Sequence, residues 1–383
     1  MKSLLYGAGR RRLGAFARLM RGGTVRTPSL MSDPFDPKLN RREFLRQTFA
    51  FSALAATAPR LAFAGQAAGP KPAPAPDPNS PHMFLLGDWG TDKYLDQQTA
   101  TALAMKQWVD QRHIKPSSLF LLGDNWYGDM GVGYDSHRWQ EQFEQMYPTS
   151  HFPGPCYVVL GNHDYERKIS DKVDLQLGYA AHAKGTRWTL PSRWYTFTYP
   201  QKDPVITFIC LDTNLPGMKR GADKFLPWSL EMNKEQRDQQ DTWFREQLAK
   251  PRTTPFLACI AHHPIYTNGI HKDQKILIHD WDALLREHKV DFWISGHDHD
   301  LQHLEFAGHP TSFVISGGGG AELTGWTTPP DKRGPFGDQV IGFSDMEFLK
   351  DAIVFRHTDA KGQVLHTFRK TPDGKVDIFL PTA

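Results

Sequence analysis

Short apolar runs, each closed by a glycine or a polar residue, recur along the chain from residue 83 onwards. Residues 83–86, 119–122, 157–160, 256–260 and 292–294 are apolar at every position. Runs this short, without alternation and flanked by turn residues, predict strands buried on both faces. Residues 194–198 and 205–211 predict two more. Past residue 300 strand follows strand: 301–306, 311–316, 343–349, 352–357 and 363–369. Helical spacing appears between them. Residues 97–112 place Ala102, Met105 and Val109 on one face, and 138–147 and 277–288 are further helix candidates. Another begins at Asn233, a capping residue with Gln236 three positions on, and carries Phe244 and Leu248 as an inward pair. The mixture predicts an α/β protein, with two mixed β-sheets packed as a sandwich and flanked by helices. Residues 326–339, rich in Pro and Gly, read as a long loop at the rim of a site.

Metal-binding residue types follow the runs. Asp88, Asp124, Asn162, His262, His297 and His299 each lie just past one, at the carboxyl ends of strands, where open α/β sheets place their sites. Asp88 and Asp124 are 36 residues apart, and Asp124 and Asn162 are 38 apart, spacings that fit successive β-α-β units. Taken singly each motif is weak, and Gly87-Asp88-Trp89-Gly90 is equally an ordinary turn. Two histidines spaced by one residue, as in Gly296-His297-Asp298-His299, more often bind metal. Together the six donors describe a centre for two ions.

Charge changes the picture at the amino terminus. Residues 1–64 carry 12 Lys or Arg against 3 Asp or Glu, leaving 33 basic and 39 acidic residues in the rest. The overall basic balance therefore belongs to the leader, and nucleic acid is not an expected partner. Arg41 and Arg42 precede a weakly apolar stretch ending Ala62-Phe63-Ala64, the pattern of a twin-arginine export signal with a cleavage site. Residues 1–30 form a long basic preface, and Met31 is a second candidate start. Pro59 and Arg60 interrupt the apolar stretch, which argues against a membrane anchor. Residues 65–81 alternate Pro, Ala and Gly as an extended linker, and the catalytic domain is expected over 82–383. The expected location is periplasmic or secreted, with the export machinery as a partner of the precursor. Cys156, Cys210 and Cys259, odd in number and in or beside predicted strands, read as core thiols.

The ordered set Asp88, Asp124, Asn162-His163, His262 and His297-x-His299 resembles the calcineurin-like metallophosphoesterases. That superfamily usually has Asp-x-His in its first motif. Here Trp89 and Gly90 follow Asp88, and Tyr127, three residues past Asp124, supplies the replacement donor. This exchange resembles the purple acid phosphatases, and the short chain is similar to the mammalian-type tartrate-resistant enzymes. The resemblance runs from about Met83 to Arg369.

It implies the metallophosphoesterase fold and a division of donors. Asp88, Tyr127 and His299 are implied to hold Fe(III). Asn162, His262 and His297 are implied to hold a divalent ion (Fe, Zn or Mn), with Asp124 bridging the two. Phenolate and carboxylates are hard donors suited to Fe(III), and imidazoles and an amide suit the divalent ion. His263, beside His262 in Ala261-His262-His263-Pro264, is a rival for that position. His163 and His271 match the family's two proton-donating histidines. The implied activity is acid hydrolysis of small phosphate monoesters by a metal-bound hydroxide. Two other readings stand beside it: a phosphodiesterase on the same scaffold, and an iron-holding redox or binding protein. Ser316 to Gly320 reads as a strand exit that approaches the site closely. Trp89, Trp126 and Trp326 read as cleft lining or, more often, packing. Lys332 and Arg333 read as a solvated charge pair.

Overall fold

In the computed structural model, residues 72–166, 171–218 and 231–379 are described. The export-signal and alternative-start expectations, on residues 1–64, lie outside them. Among the described residues, fifteen strands run in chain order. They are β1 His82–Leu86, β2 Pro116–Leu121, β3 Cys156–Val158, β4 Trp188–Thr189, β5 Tyr195–Tyr199, β6 Ile206–Cys210, β7 Phe256–Ile260 and β8 Phe292–Ser295. There follow β9 Leu301–Leu304, β10 Ser312–Ser316, β11 Phe336–Asp338, β12 Gly342–Leu349, β13 Ala352–Asp359, β14 Val364–Lys370 and β15 Val376–Phe379. They form two mixed sheets, ordered β15-β14-β13-β12-β1-β2-β3-β4 and β11-β9-β10-β8-β7-β6-β5. Strands β1, β2, β3 and β4 are parallel in the first, and β6, β7, β8 and β10 in the second. Phe84, Phe120, Val158, Phe208, Ile260, Ile294 and Phe355 join one buried core. The fully apolar runs are thus explained by burial on both faces of the central strands.

Among the described residues, three α-helices of more than ten residues support the sheets: α1 Leu95–Arg112, α2 Lys172–His182 and α3 Lys234–Ala249. Helix α3 starts with the expected capping box, the Asn233 side chain accepting from Gln236 N and the Gln236 side chain from Asn233 N. Helix α2 has little sequence signature because it is short and contains Gly178. Asp171 starts it by accepting from the Val173 and Asp174 amides. The expected helix at 138–147 is instead a six-residue π-helix, Trp139–Glu144. A helical stretch in three joined pieces, Lys275–Leu277, Ile278–Asp282 and Ala283–Glu287, replaces the regular helix expected at 277–288.

Part of the expected linker is tied to the sheet. Asp77 N–H donates to Glu347 Oε1 at 2.9 Å, and Arg356 Nη2 donates to the Pro74 carbonyl at 3.1 Å. Trp89 and Trp126 are fully buried and pack edge to face at 5.1 Å, so neither lines a cleft. The three cysteines are buried and unbridged. Among the described residues no helix is long and apolar enough to cross a membrane.

Candidate metal centre

The parallel strands of both sheets end at one place. Asp88 follows β1, Asp124 follows β2, Asn162 follows β3, His262 follows β7 and His297 follows β8. The backbone turns sharply there. Asp88, Asp124 and His297 have φ of 60°, 49° and 74°, in the left-handed region that side chains disfavour. Local strain at three donors is characteristic of a site over-determined by its surroundings. The glycines beside the donors are explained by the donors themselves. A Cβ on Gly161 would sit 2.2 Å from Asp124 Oδ1, and one on Gly317 would sit 2.8 Å from Asp88 Oδ2. The glycine run after β10 therefore lets a strand exit pass close to the centre, as expected.

The donors form two groups, Asp88 with Asp124 and His299, and His262 with His263 and His297; within each the ligating atoms lie within 4.8 Å. Tyr127 joins the first. Its hydroxyl is 3.2 Å from Asp88 Oδ1, 3.3 Å from Asp124 Oδ2 and 3.1 Å from His299 Nε2. Asn162 joins the second, with Oδ1 3.1 Å from His262 Nε2. His262 Nε2 is also 3.3 Å from Asp124 Oδ2 and 3.2 Å from His297 Nδ1. Asp124 thus faces both groups. The two adjacent histidines differ in aim. His262 turns Nδ1 to the Leu122 carbonyl at 2.9 Å, leaving Nε2 inward, whereas His263 Nδ1 lies 2.8 Å from Thr213 Oγ1.

Electrostatics test whether these residues suit metal ions. Burial alone would lower the pKa of His262, but Asp124 and Asp88 overcome it and push it up to about 9. His299, partly buried, is pushed up to about 9 against desolvation by its hydrogen bond and attraction to Asp88. Burial and the surrounding histidines hold His297 well below the ordinary range. Burial, then the Asp124 and Asp88 charges, drive the Tyr127 hydroxyl well above its usual value. Two buried carboxylates and a partly buried phenol facing one point call for cationic charge there. This is a binuclear metal-binding site with Asp and His donors, and its composition fits iron with a second divalent metal.

The structure brings both expected proton donors to its edge. The ring of His163 lies 4.3 Å from that of Tyr127, and the backbone N–H of His163 donates to Asp124 Oδ1 at 2.7 Å. The ring of His271 lies 4.1 Å from that of His297. Each has a carboxylate partner absent from the sequence reading. His163 Nδ1 is 2.7 Å from Glu166 Oε1, and His271 Nδ1 is 2.8 Å from Asp298 Oδ1. Glu166 also accepts from buried Lys172 at 3.4 Å. The signal for Glu166 was its i+3 spacing from His163; Asp298 was hidden between two histidines that read as ligands. Asp164 was missed too. It accepts from Gly161 N, Asn125 N and Trp126 N, which locks the Asp124 and Asn162 loops together. A cleft of about 320 Å³ opens beside the centre, lined by Tyr94, Tyr127, His163, His299 and Glu322 among others.

The sequence profile of the calcineurin-like phosphoesterases matches residues 82–301. The chain belongs to that family. Purple acid phosphatase 4 of Arabidopsis thaliana is 27% identical over 315 residues, covering 80% of this chain and 88% of that protein. Human tartrate-resistant acid phosphatase type 5 is 28% identical over 308 residues, covering 75% and 90%. The purple acid phosphatase PPD1 of yellow lupin superposes with a TM-score of 0.56 at 18% identity, over 78% of this chain and 55% of that one. GAP50, described as the anchor in the inner membrane complex of Plasmodium, superposes at 0.62 with 22% identity, over 75% and 87%. These superpositions establish the shared fold. The family match, the purple acid phosphatase relatives and the binuclear site make this chain a metal-dependent phosphatase.

Proposed function

We propose that the protein is an exported acid phosphatase that hydrolyses small phosphate monoesters. The observation that carries this reading is the Tyr127 hydroxyl, set within 3.3 Å of Asp88, Asp124 and His299. Asp88, Tyr127 and His299 would hold Fe(III). Asn162, His262 and His297 would hold the divalent ion, with Asp124 shared. When bound, the two ions supply Lewis acidity and acidify water, which keeps the nucleophile available at low pH.

The chain's own side chains complete the reaction. His163 keeps Nδ1 on Glu166, and its Nε2, 4.0 Å from Asp124 Oδ2, is the nitrogen that would give a proton to the departing alkoxide. His271, held by Asp298 on the other flank, can do the same or, as a cation, grip the substrate phosphate. A carboxylate on the far nitrogen fixes tautomer and ring direction together. The paired Arg41 and Arg42 and the Ala62-Phe63-Ala64 end support export to the periplasm; amino-terminal sequencing of the secreted protein tests it.

The functional test compares an aryl phosphate monoester with the matching diester from pH 4 to 9, using mature metal-loaded protein with Asp124→Asn as the blank. Monoester turnover dominating at acidic pH, and absent from the blank, is expected. Diester preference, or an optimum well above neutrality, would overturn the proposal.

A further inference from the structure

We infer that Arg333 is a positioning residue, clamping the loop that carries His271 against the metal centre; this rests on the proton-donor reading of His271. The clamp joins two segments sixty residues apart. The first is a loop closed at its base by Gln274 N–H, which donates to the Ile265 carbonyl at 3.0 Å. Inside it, Thr267 Oγ1 donates to Asp298 Oδ2 at 2.6 Å and accepts from Gly269 N at 2.9 Å. Gly269 is required there, since a Cβ would lie 2.1 Å from Asp298 Oδ1. That oxygen also receives the backbone and ring nitrogens of His271, at 3.3 and 2.8 Å. The direction of the imidazole therefore depends on where this loop sits.

The second segment is the rim loop, and the sequence expectation for it fails at one residue. Lys332 is exposed beside Asp331, but Arg333 is not part of a solvated charge pair. Its Nη1 donates to Asp273 Oδ1 at 2.8 Å and to the Thr267 carbonyl at 3.1 Å, while Nη2 donates to Asp273 Oδ2 at 2.9 Å. The guanidinium lies 5.5 Å from the Tyr266 ring and 5.1 Å from the Phe306 ring. The backbones are joined as well. Asn268 Nδ2 donates to the Arg333 carbonyl at 2.8 Å, and the Thr327 and Thr328 amides donate to the Asn268 carbonyl at 2.8 and 3.0 Å.

One planar fork thus fixes both ends of the His271 segment, at residues 267 and 273. Lysine cannot reproduce this, because a single ammonium lacks the flat bidentate face. A partly exposed ion pair adds little stability, so the main consequence is geometric. A small misplacement of a proton donor costs turnover far more than it costs folding.

The test uses the metal-loaded enzyme. Arg333→Ala is expected to lower kcat about tenfold, with KM and bound metal unchanged, and Arg333→Lys to recover only part. Amides 267–273 should exchange with solvent faster in Arg333→Ala than in the wild type. In a His271→Ala background, Arg333→Ala should cause no further loss. Loss in His271→Ala but none in Arg333→Ala would overturn the clamp alone, as would equal losses from Arg333→Ala in both backgrounds or unaltered exchange. Wild-type turnover in His271→Ala would remove the proton-donor reading itself, and the positioning role of Arg333 with it.

Discussion

Two groups of histidine, which come within four residues of each other in the chain at His299 and His303, sit in different electrostatic surroundings. His262 and His299 face Asp88 and Asp124, and those carboxylates raise both to about 9 against the pull of burial. His303, four residues beyond His299, belongs to the other cluster, where β9 meets β13 and β14. Its Nδ1 is 2.9 Å from His366 Nε2, its Nε2 is 2.8 Å from Glu305, and its ring stacks on Phe368 at 3.7 Å. His357 Nδ1 lies 2.8 Å from Ser344 Oγ and Nε2 lies 3.2 Å from the Gln302 carbonyl. Phe336 stacks on both His366 and His357. Burial first, then the neighbouring imidazoles, lowers His357 to about 3 and takes His366 well below its usual value. His297, at the metal centre but surrounded by other imidazoles, is instead held well below its usual value; the same side chain is thus held charged or neutral according to what faces it.

The largest way to break this contrast is Asp124→Asn. It should remove about a thousandfold of monoester turnover and lower bound metal, read by metal analysis beside a rate assay. His163→Ala is expected to cut turnover about a hundredfold with metal content retained; equal losses of both would end its proton-donor role. The second cluster should answer to pH in stability rather than in rate. The folded pKa of His357, about 3, lies below the unfolded value near 6.5. The unfolded chain therefore takes up protons first, and stability should fall as pH drops from about 6.5 towards 3, by up to about 1.4 kcal/mol per pH unit for each such group. Denaturant midpoints at pH 7, 5 and 4 measure this, and His357→Asn should flatten the slope while leaving turnover within about twofold. Far from both clusters, Asn233→Ala should cost about 1 kcal/mol through the lost cap, equally at pH 5 and 7. A pH-dependent cost there would blur the contrast.

Much of the fold was legible because the strands are locally coded. Runs such as Phe256 to Ile260 are buried along their whole length, so hydrophobicity alone marks them. Strands β4, β11 and β15 were not legible. They are two to four residues long, and pairing with a neighbour defines them rather than any pattern of their own. Tyr127 was implied by the family resemblance, three residues past Asp124, and its hydroxyl lies 3.3 Å from Asp124 Oδ2. Arg333 and Asp273 were not found as a pair, because nothing in either local sequence records a partner sixty residues away.

The sequence by itself determined most of the strands and set Asp88, Asp124, Asn162, His262 and His297 just past strand ends, since each depends on residues within a few positions. Tertiary structure decided which imidazoles lie beside carboxylates, which nitrogen of His262 turns inward, and which carboxylates hold His163 and His271. Charge and hydrogen bonding act over a few ångströms of space whatever the separation in the chain, and only the packing of two sheets brings Asp88, Asp124, His262 and His299 within that range.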